Sequence, residues 1–301
     1  MFDSPLSASA YEILGVAPDS DDDTLRRAYR LRLRQAHPDT GGDASVFIQV
    51  QRAWEFVGTV EARASYDRGH GFAESSGWGA WDPPSRTGTR VRGQVFGTPG
   101  GAIRAQYVEF VREWAGTEIA DPFDPALVRT VPRELRRMLA VALAQEATAH
   151  AVSELGMGFT AWHDVQAGTD LGDTLDHVVL SPTGLYGLLS EDFGDVVGFR
   201  KGEIVGPAIG PSAPVTGLLS RMRTVGKAAG VRFNGAVIVL PDDDVAQPVT
   251  TLGSIRGVPT IVVRRSVVGS ALRTGVPGAR VIGGNELFDV RTRLQSTVRL
   301  A

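Results

Sequence analysis

Apolar side chains recur at helical spacing through the first seventy residues of the chain. Leu25, Ala28, Tyr29, Leu33 and Ala36 form one stripe between Asp21 and Ala36. Phe47, Val50, Trp54 and Val57 form a second stripe, with the i, i+3, i+7, i+10 spacing of one helix face. Between the two lies His37-Pro38-Asp39, followed by Gly41 and Gly42. Proline disfavours helix at the residue before it, so the first of these helices should end near His37. Two amphipathic helices joined by a short turn, with facing stripes, make an antiparallel hairpin. Tyr29, Phe47 and Trp54 are expected in its core. Ser20 with Asp23 reads as a capping box, and Asp21, Asp22 and Asp23 place negative charge at the positive end of the helix dipole.

The pattern changes further along. From Ala102 onward, helical stretches at Arg133–Leu155 and Val215–Ala229 fall among short apolar runs bounded by glycine and proline. These runs are His177–Leu180, Leu185–Leu189, Ala236–Leu240 and Thr260–Val263, and the alternation predicts an α/β domain over 102–290. Ser181-Pro182-Thr183-Gly184 reads as a turn that returns one strand against the next. Between the two zones, residues 69–101 are rich in glycine, with Pro83, Pro84 and Pro99. They read as a flexible linker, with Phe72, Trp78, Trp81 and Phe96 and the basic Arg86, Arg90 and Arg92 set along a disordered tether. The expected organisation is therefore a multidomain α plus α/β chain: a helical hairpin domain over 9–68, a Gly/Pro-rich linker over 69–101, and the α/β domain.

Composition narrows the function classes. The 301 residues are 43% hydrophobic and 22% charged with a net charge of −3, an ordinary globular balance with no global field toward nucleic acid or anionic lipid. The chain has no cysteine, which excludes disulfides and thiolate zinc sites. Its five histidines, at 37, 70, 150, 163 and 177, lack the spacing of a helical metal-binding pair, so neither a metal nor a cofactor is expected. No basic cluster precedes an apolar run at the N-terminus and no apolar stretch reaches membrane-spanning length, so the expectation is a cytoplasmic protein with no membrane partner.

The tip of the hairpin carries an imidazole and a carboxylate, His37 and Asp39, on either side of Pro38. Arg26, Arg27, Arg30 and Arg34 lie largely off the apolar stripe beside them. With no nucleophile, paired carboxylates or metal cluster, the tip suits docking and not chemistry. These residues resemble a J-domain, the DnaJ-like co-chaperone module. Tyr11-Glu12-Ile13-Leu14-Gly15-Val16 is similar to the family's opening helix, and the arginine-rich segment from Asp21 to Ala36 to its second. His37-Pro38-Asp39 matches its signature tripeptide. Gln51-Arg52-Ala53-Trp54-Glu55 and Arg63-Ala64-Ser65-Tyr66-Asp67 resemble its third and fourth helices. The resemblance implies a co-chaperone that stimulates the ATPase of a DnaK-type chaperone on behalf of an unidentified client. The basic second helix would meet an acidic surface of that partner, and the tripeptide would trigger hydrolysis.

A second, weaker resemblance lies downstream. Glu146 sits among alanines on a helix face made by Leu135, Leu139, Ala142, Leu143, Ala147 and Val152, and Asp176 opens an apolar strand. Gln145-Glu146-Ala147, Trp162-His163-Asp164, Asp176-His177-Val178-Val179 and Pro182-Thr183-Gly184-Leu185-Tyr186 are similar to the nuclease-related (NERD) domain. In that fold carboxylates on adjacent elements hold Mg²⁺, and a lysine two residues beyond the second strand acid stabilises attack. Glu146 and Asp176 match the first two acids. Leu189-Ser190-Glu191 falls where the acid and lysine belong, so activity would require Glu191 or Asp192 as a shifted acid and Lys201 as a displaced lysine. The resemblance thus implies a degenerate, non-catalytic recognition domain. A divalent-metal nuclease and a nucleic-acid-binding adaptor carrying the J-domain are the alternatives. The acids of Asp242-Asp243-Asp244 read as a solvated loop.

Overall fold

Ser9 starts the first helix. Its hydroxyl accepts from the Glu12 amide while the Glu12 carboxylate accepts from the Ser9 amide, a reciprocal capping box that satisfies two otherwise orphaned donors. The computed structural model describes residues 4–6, 9–17, 19–69, 93–168 and 173–301. They fall into two compact units, one holding the first helices together with residues 118–132, the other 93–117 and everything from 133 onward.

The N-terminal unit opens with α1 (Ala10–Leu14), α2 (Asp22–Gln35), α3 (Ala44–Val57) and α4 (Val60–Gly69). Asp21, not Ser20, caps α2, accepting from the Thr24 amide at 2.6 Å. Tyr29 stacks on Trp54 at 4.4 Å and His37 meets Phe47 edge-on at 5.2 Å. The later residue of α2 thus pairs with the earlier one of α3, so the two helices run antiparallel. Leu25, Val50, Ala53 and Val57 are buried with Tyr11 and Leu14, and Tyr29, Leu33 and Trp54 pack against them half-buried. Phe47 departs from expectation: it lies half-buried, edge-on against the His37 ring. The same unit includes α6 (Pro125–Thr130), capped by Asp124. The α/β domain expected as one piece over 102–290 is therefore interrupted at 118–132.

The second unit is built on a seven-stranded mixed sheet. Its strands are β1 (Gln94–Phe96), β2 (Thr160–Gln166), β3 (Thr174–Ser181), β4 (Gly184–Ser190), β7 (Gly235–Leu240), β8 (Val249–Ile255) and β9 (Val258–Arg264), in the order β1-β2-β3-β4-β7-β9-β8. The β3–β4 and β8–β9 pairs are antiparallel hairpins, whereas β4–β7 and β7–β9 run parallel. A small hairpin of β5 (Gly198–Arg200) and β6 (Glu203–Val205) stands apart. The central strands are buried along their whole length, which explains their continuous apolar runs: both faces are covered. Ala236, Ile238 and Leu240 point toward α8 (Pro214–Ala229) and α10 (Gly284–Thr297). Val237 and Val239 point the other way, into a core shared with Val152 of α7 (Arg133–Ser153) and Val268 and Leu272 of α9 (Val268–Thr274).

Two expectations need correction. The linker reading extended to residue 101, but 94–96 form β1, paired in parallel with β2, and Phe96 stacks on Trp162 at 5.9 Å. The aromatic reads as part of a tether in sequence because its partner is sixty-six residues away. Gly100 then supplies the left-handed turn (φ 68°) that starts α5 (Gly101–Ala115), with the Ala142 backbone so close that a Cβ would lie 2.9 Å from its carbonyl oxygen. The rest of the expected linker, residues 70–92, lies outside the described residues. Asp244 is not in a solvated loop: it is 8% exposed, and burial with the nearby Asp192 pushes its carboxyl up to about 7.

Candidate functional site

The tripeptide is held by the end of α2 and the start of α3. Ala36 closes α2, and Pro38–Thr40 form a single 3₁₀ turn that begins with proline, whose missing N–H costs nothing at a helix start. Gly41, with φ 82°, returns its amide to the Pro38 carbonyl at 3.0 Å, and the Gly42 amide reaches the His37 carbonyl at 3.0 Å. The His37 Nδ1 accepts from the Asp39 amide at 3.2 Å. The Asp39 carboxylate, 3.8 Å from the same nitrogen, is 89% exposed, and His37 is half-buried. Arg26, Arg27, Arg30 and Arg34 are all exposed on α2. The tip therefore presents a carboxylate on a backbone fixed by proline and two glycines, next to a basic helix face. Such an arrangement loses little ordering entropy when it docks.

Two residues have packing roles that no local pattern gives, Gly42 at the tip and Arg63 at the opposite end of α2. A Cβ on Gly42 would stand 2.3 Å from the Ala36 carbonyl carbon and 2.6 Å from its oxygen, so no side chain fits there without moving backbone. Arg63 of α4 donates to the Tyr11 hydroxyl (3.1 Å), the Asp22 carboxylate (2.9 Å) and the Ser20 carbonyl (2.7 Å), tying α4 to α1 and to the start of α2. Tyr11, fully buried, donates to Asp67 at 2.6 Å, and burial together with that carboxylate pushes its phenol up to about 12. The Gly-Gly pair signals a turn, but which of the two is irreplaceable depends on the approach of α2. We expect Gly42→Ala to cost about 2 kcal/mol or more through backbone displacement. Gly41→Ala, strained in φ but with open space around it, should cost about 1 kcal/mol. Urea unfolding of the full chain, read by amide exchange in α2 and α3, separates the two; equal costs would refute the steric argument.

Of the residues suggested by the nuclease-like resemblance, Asp176 and Glu191 lie near one another, Glu146 is engaged by Arg104, and Lys201 is exposed on a turn. Glu146 is buried and bound bidentately by Arg104 of α5, at 2.5 and 2.8 Å, so its carboxylate is already engaged. Lys201 is exposed on the turn between β5 and β6, with φ 53°. Asp176 accepts from the Ser190 amide at 2.8 Å, and burial raises its carboxyl to about 6. Glu191 lies close enough to Asp176 for the two charges to oppose each other, and burial with that neighbour raises it to about 7. Leu189, 3% exposed, lines the same depression, where the resemblance would place an acid. Among the described residues no group of three or more His, Asp or Glu side chains is placed to hold a metal ion. Likewise, no helix among them is long and apolar enough to cross a membrane.

The comparisons agree with the geometry at the N-terminus. The DnaJ domain model matches residues 9–67. The chain is 42% identical over 66 residues to Chaperone protein DnaJ of Synechococcus sp., covering 21% of this chain and 18% of that protein. It is 45% identical over 73 residues to Chaperone protein DnaJ of Thermosynechococcus vestitus, covering 23% and 19%. A DnaJ protein homolog of Cucumis sativus is 32% identical over 123 residues, covering 39% and 28%. The chain thus spans about a fifth to a quarter of the length of these relatives. No solved structure matches it significantly. The helical hairpin, its His-Pro-Asp tip and the matching family model together identify residues 9–67 as a DnaJ domain.

Proposed function

We propose that the chain is a co-chaperone whose DnaJ domain stimulates ATP hydrolysis by a DnaK-type chaperone, while the second unit serves as a non-catalytic recognition domain. The observation that carries this reading is the exposed His37-Pro38-Asp39 turn, rigidly seated beside the arginine face of α2. Arg26, Arg27, Arg30 and Arg34 steer encounter with an acidic surface and set orientation, which gives fast, weak, salt-sensitive association. Asp39 and His37 then act at the partner's switch. A cytoplasmic location goes with this proposed partner.

The test is single-turnover ATP hydrolysis by a DnaK-type partner in the presence of the full chain. His37→Gln and Asp39→Asn should each reduce stimulation by at least about tenfold, the first by removing the imidazole from the docking turn and the second by removing the docked charge, with helix content unchanged. Arg30→Glu should slow association several-fold and flatten its salt dependence. Undiminished stimulation by both tip variants would overturn the proposal.

A further inference from the structure

The second unit contains a cavity of about 370 Å³, within the range of small-molecule sites. Its polar lining comes from Arg137 of α7, Asp173 just before β3, Glu191 just beyond β4, Ser212 ahead of α8, and Ser220, Arg221 and Thr224 of α8, with Leu189 as an apolar wall.

Two guanidinium groups, those of Arg137 and Arg221, and two carboxylates, those of Asp173 and Glu191, line the cavity, and the guanidinium groups are incompletely engaged. Among the described residues Arg221 has no hydrogen-bond or ion-pair partner, and its Nε is buried without one. Of its guanidinium donors the Nε is the buried one, and a buried donor without a partner is costly. Arg137 spends one amino group on the Ala208 carbonyl at 3.0 Å and lies over the Phe193 ring, and its other amino group is 3.8 Å from Glu191, beyond hydrogen-bonding distance. The facing Oε2 of Glu191 is likewise buried without a hydrogen bond. The Arg137 and Arg221 cations both act on the Glu191 charge, and Asp176 and Asp192 oppose it. The start of α8 does not supply the missing acceptor or compete for one: its Val215 and Thr216 amides are already taken by the Glu203 carboxylate, at 2.7 and 3.1 Å.

What satisfies this cavity is an acceptor-rich anion. A cation would meet two guanidinium groups. A planar carboxylate offers two acceptors in one plane, whereas here donors approach from α7 and α8 with a hydroxyl of Ser220 beside them, so a tetrahedral group with three free oxygens matches better. We propose that this cavity binds the phosphate monoester of a small molecule, with Arg221 as its principal anchor, Arg137 as the second, and Glu191 as a repulsive neighbour that weakens binding.

The experiment is isothermal titration of the full chain with inorganic phosphate, a nucleoside 5′-monophosphate, the unphosphorylated nucleoside, and a 5′-phosphorylated DNA oligonucleotide. Phosphate and the monophosphate should bind and the nucleoside should not. Arg221→Gln should weaken binding by about tenfold or more, the size of one charge-assisted contact. Glu191→Gln should strengthen it by about tenfold; a gain of affinity is not an outcome that misfolding produces. Absence of phosphate and monophosphate binding at millimolar concentration overturns the proposal, as does affinity untouched by both substitutions, or binding confined to the oligonucleotide.

Discussion

Replacing Arg104 by methionine should destabilise the second unit by roughly 3–5 kcal/mol, the cost of stranding a buried charge whose partner is removed. Arg104 and Glu146 are 7% and 8% exposed and joined by two short hydrogen bonds between α5 and α7. Without the guanidinium, the carboxylate has neither water nor a replacement donor. The double variant Arg104→Met/Glu146→Leu removes both charges and should recover to within about 1 kcal/mol of wild type, because well-packed apolar pairs commonly substitute for buried ion pairs. Urea melts of the four proteins close the cycle. Additive losses in the double variant would show that the pair does not behave as an isolated buried charge couple. Glu146 would then need another role, and the resemblance that marks it as a vestigial metal acid would regain interest.

Acid should destabilise the same unit through two histidines. His163 and His177 are fully buried on β2 and β3, with their Nδ1 atoms 2.7 Å apart. Ser190 donates to Thr148 at 2.8 Å and so accepts from His177 Nε2 at 3.0 Å. His177 is then protonated on Nε2 alone, and His163 must donate from Nδ1, which leaves its buried Nε2 as an acceptor without a partner. A second proton on His177 would set donor against donor at the paired Nδ1 atoms, and one on His163 would make a charged ring whose Nε2 donor has no acceptor. Burial accordingly lowers His163 to about 4, and burial with His163 beside it lowers His177 well below its usual value.

The sign follows from linkage. The unfolded chain takes up these protons near pH 6.5 and the folded chain does not, so the stabilisation is complete above pH 6.5 and is lost as pH falls toward 4. His163 alone accounts for roughly 3 kcal/mol across that window, at about 1.4 kcal/mol per pH unit. Asp176, Glu191 and Asp244, all raised, act in the opposite sense over an overlapping range, so the wild-type curve alone does not isolate the histidines. The difference between wild type and His163→Gln/His177→Gln does. It should shrink by at least about 3 kcal/mol between pH 7 and pH 4. A difference that stays flat contradicts the assignment, as would proton NMR showing either ring titrating above pH 6.

The alternative readings of the second unit fare unequally against these particulars. An Mg²⁺ site needs Glu146 and an acid at 189, yet Glu146 is occupied by Arg104 and position 189 is an apolar wall. Nucleic-acid binding through the linker arginines concerns residues outside those described. The recognition role stands as a proposal, and the phosphate cavity gives it a chemical form.

Local pattern was enough for the α2–α3 hairpin. The stripes of α2 and α3, the break at Pro38 and the exposure of Arg26, Arg27, Arg30 and Arg34 follow from periodicity and backbone sterics within fifteen residues, and the structure has them. The β3–β4 hairpin is legible for the same reason, since a four-residue turn fixes its register. What the sequence could not specify were the meetings of distant residues. Arg104 with Glu146, Phe96 with Trp162, Arg63 with Tyr11, and Gly42 under Ala36 each depend on how elements pack once formed. A charged residue inside a helix pattern reads as solvated until its partner is seen, because the cost of burying it is decided by a donor or acceptor elsewhere in the chain. Segment 118–132, Asp244 and the cavity around Arg221 belong to that second class: packing placed them, and no local rule announced them.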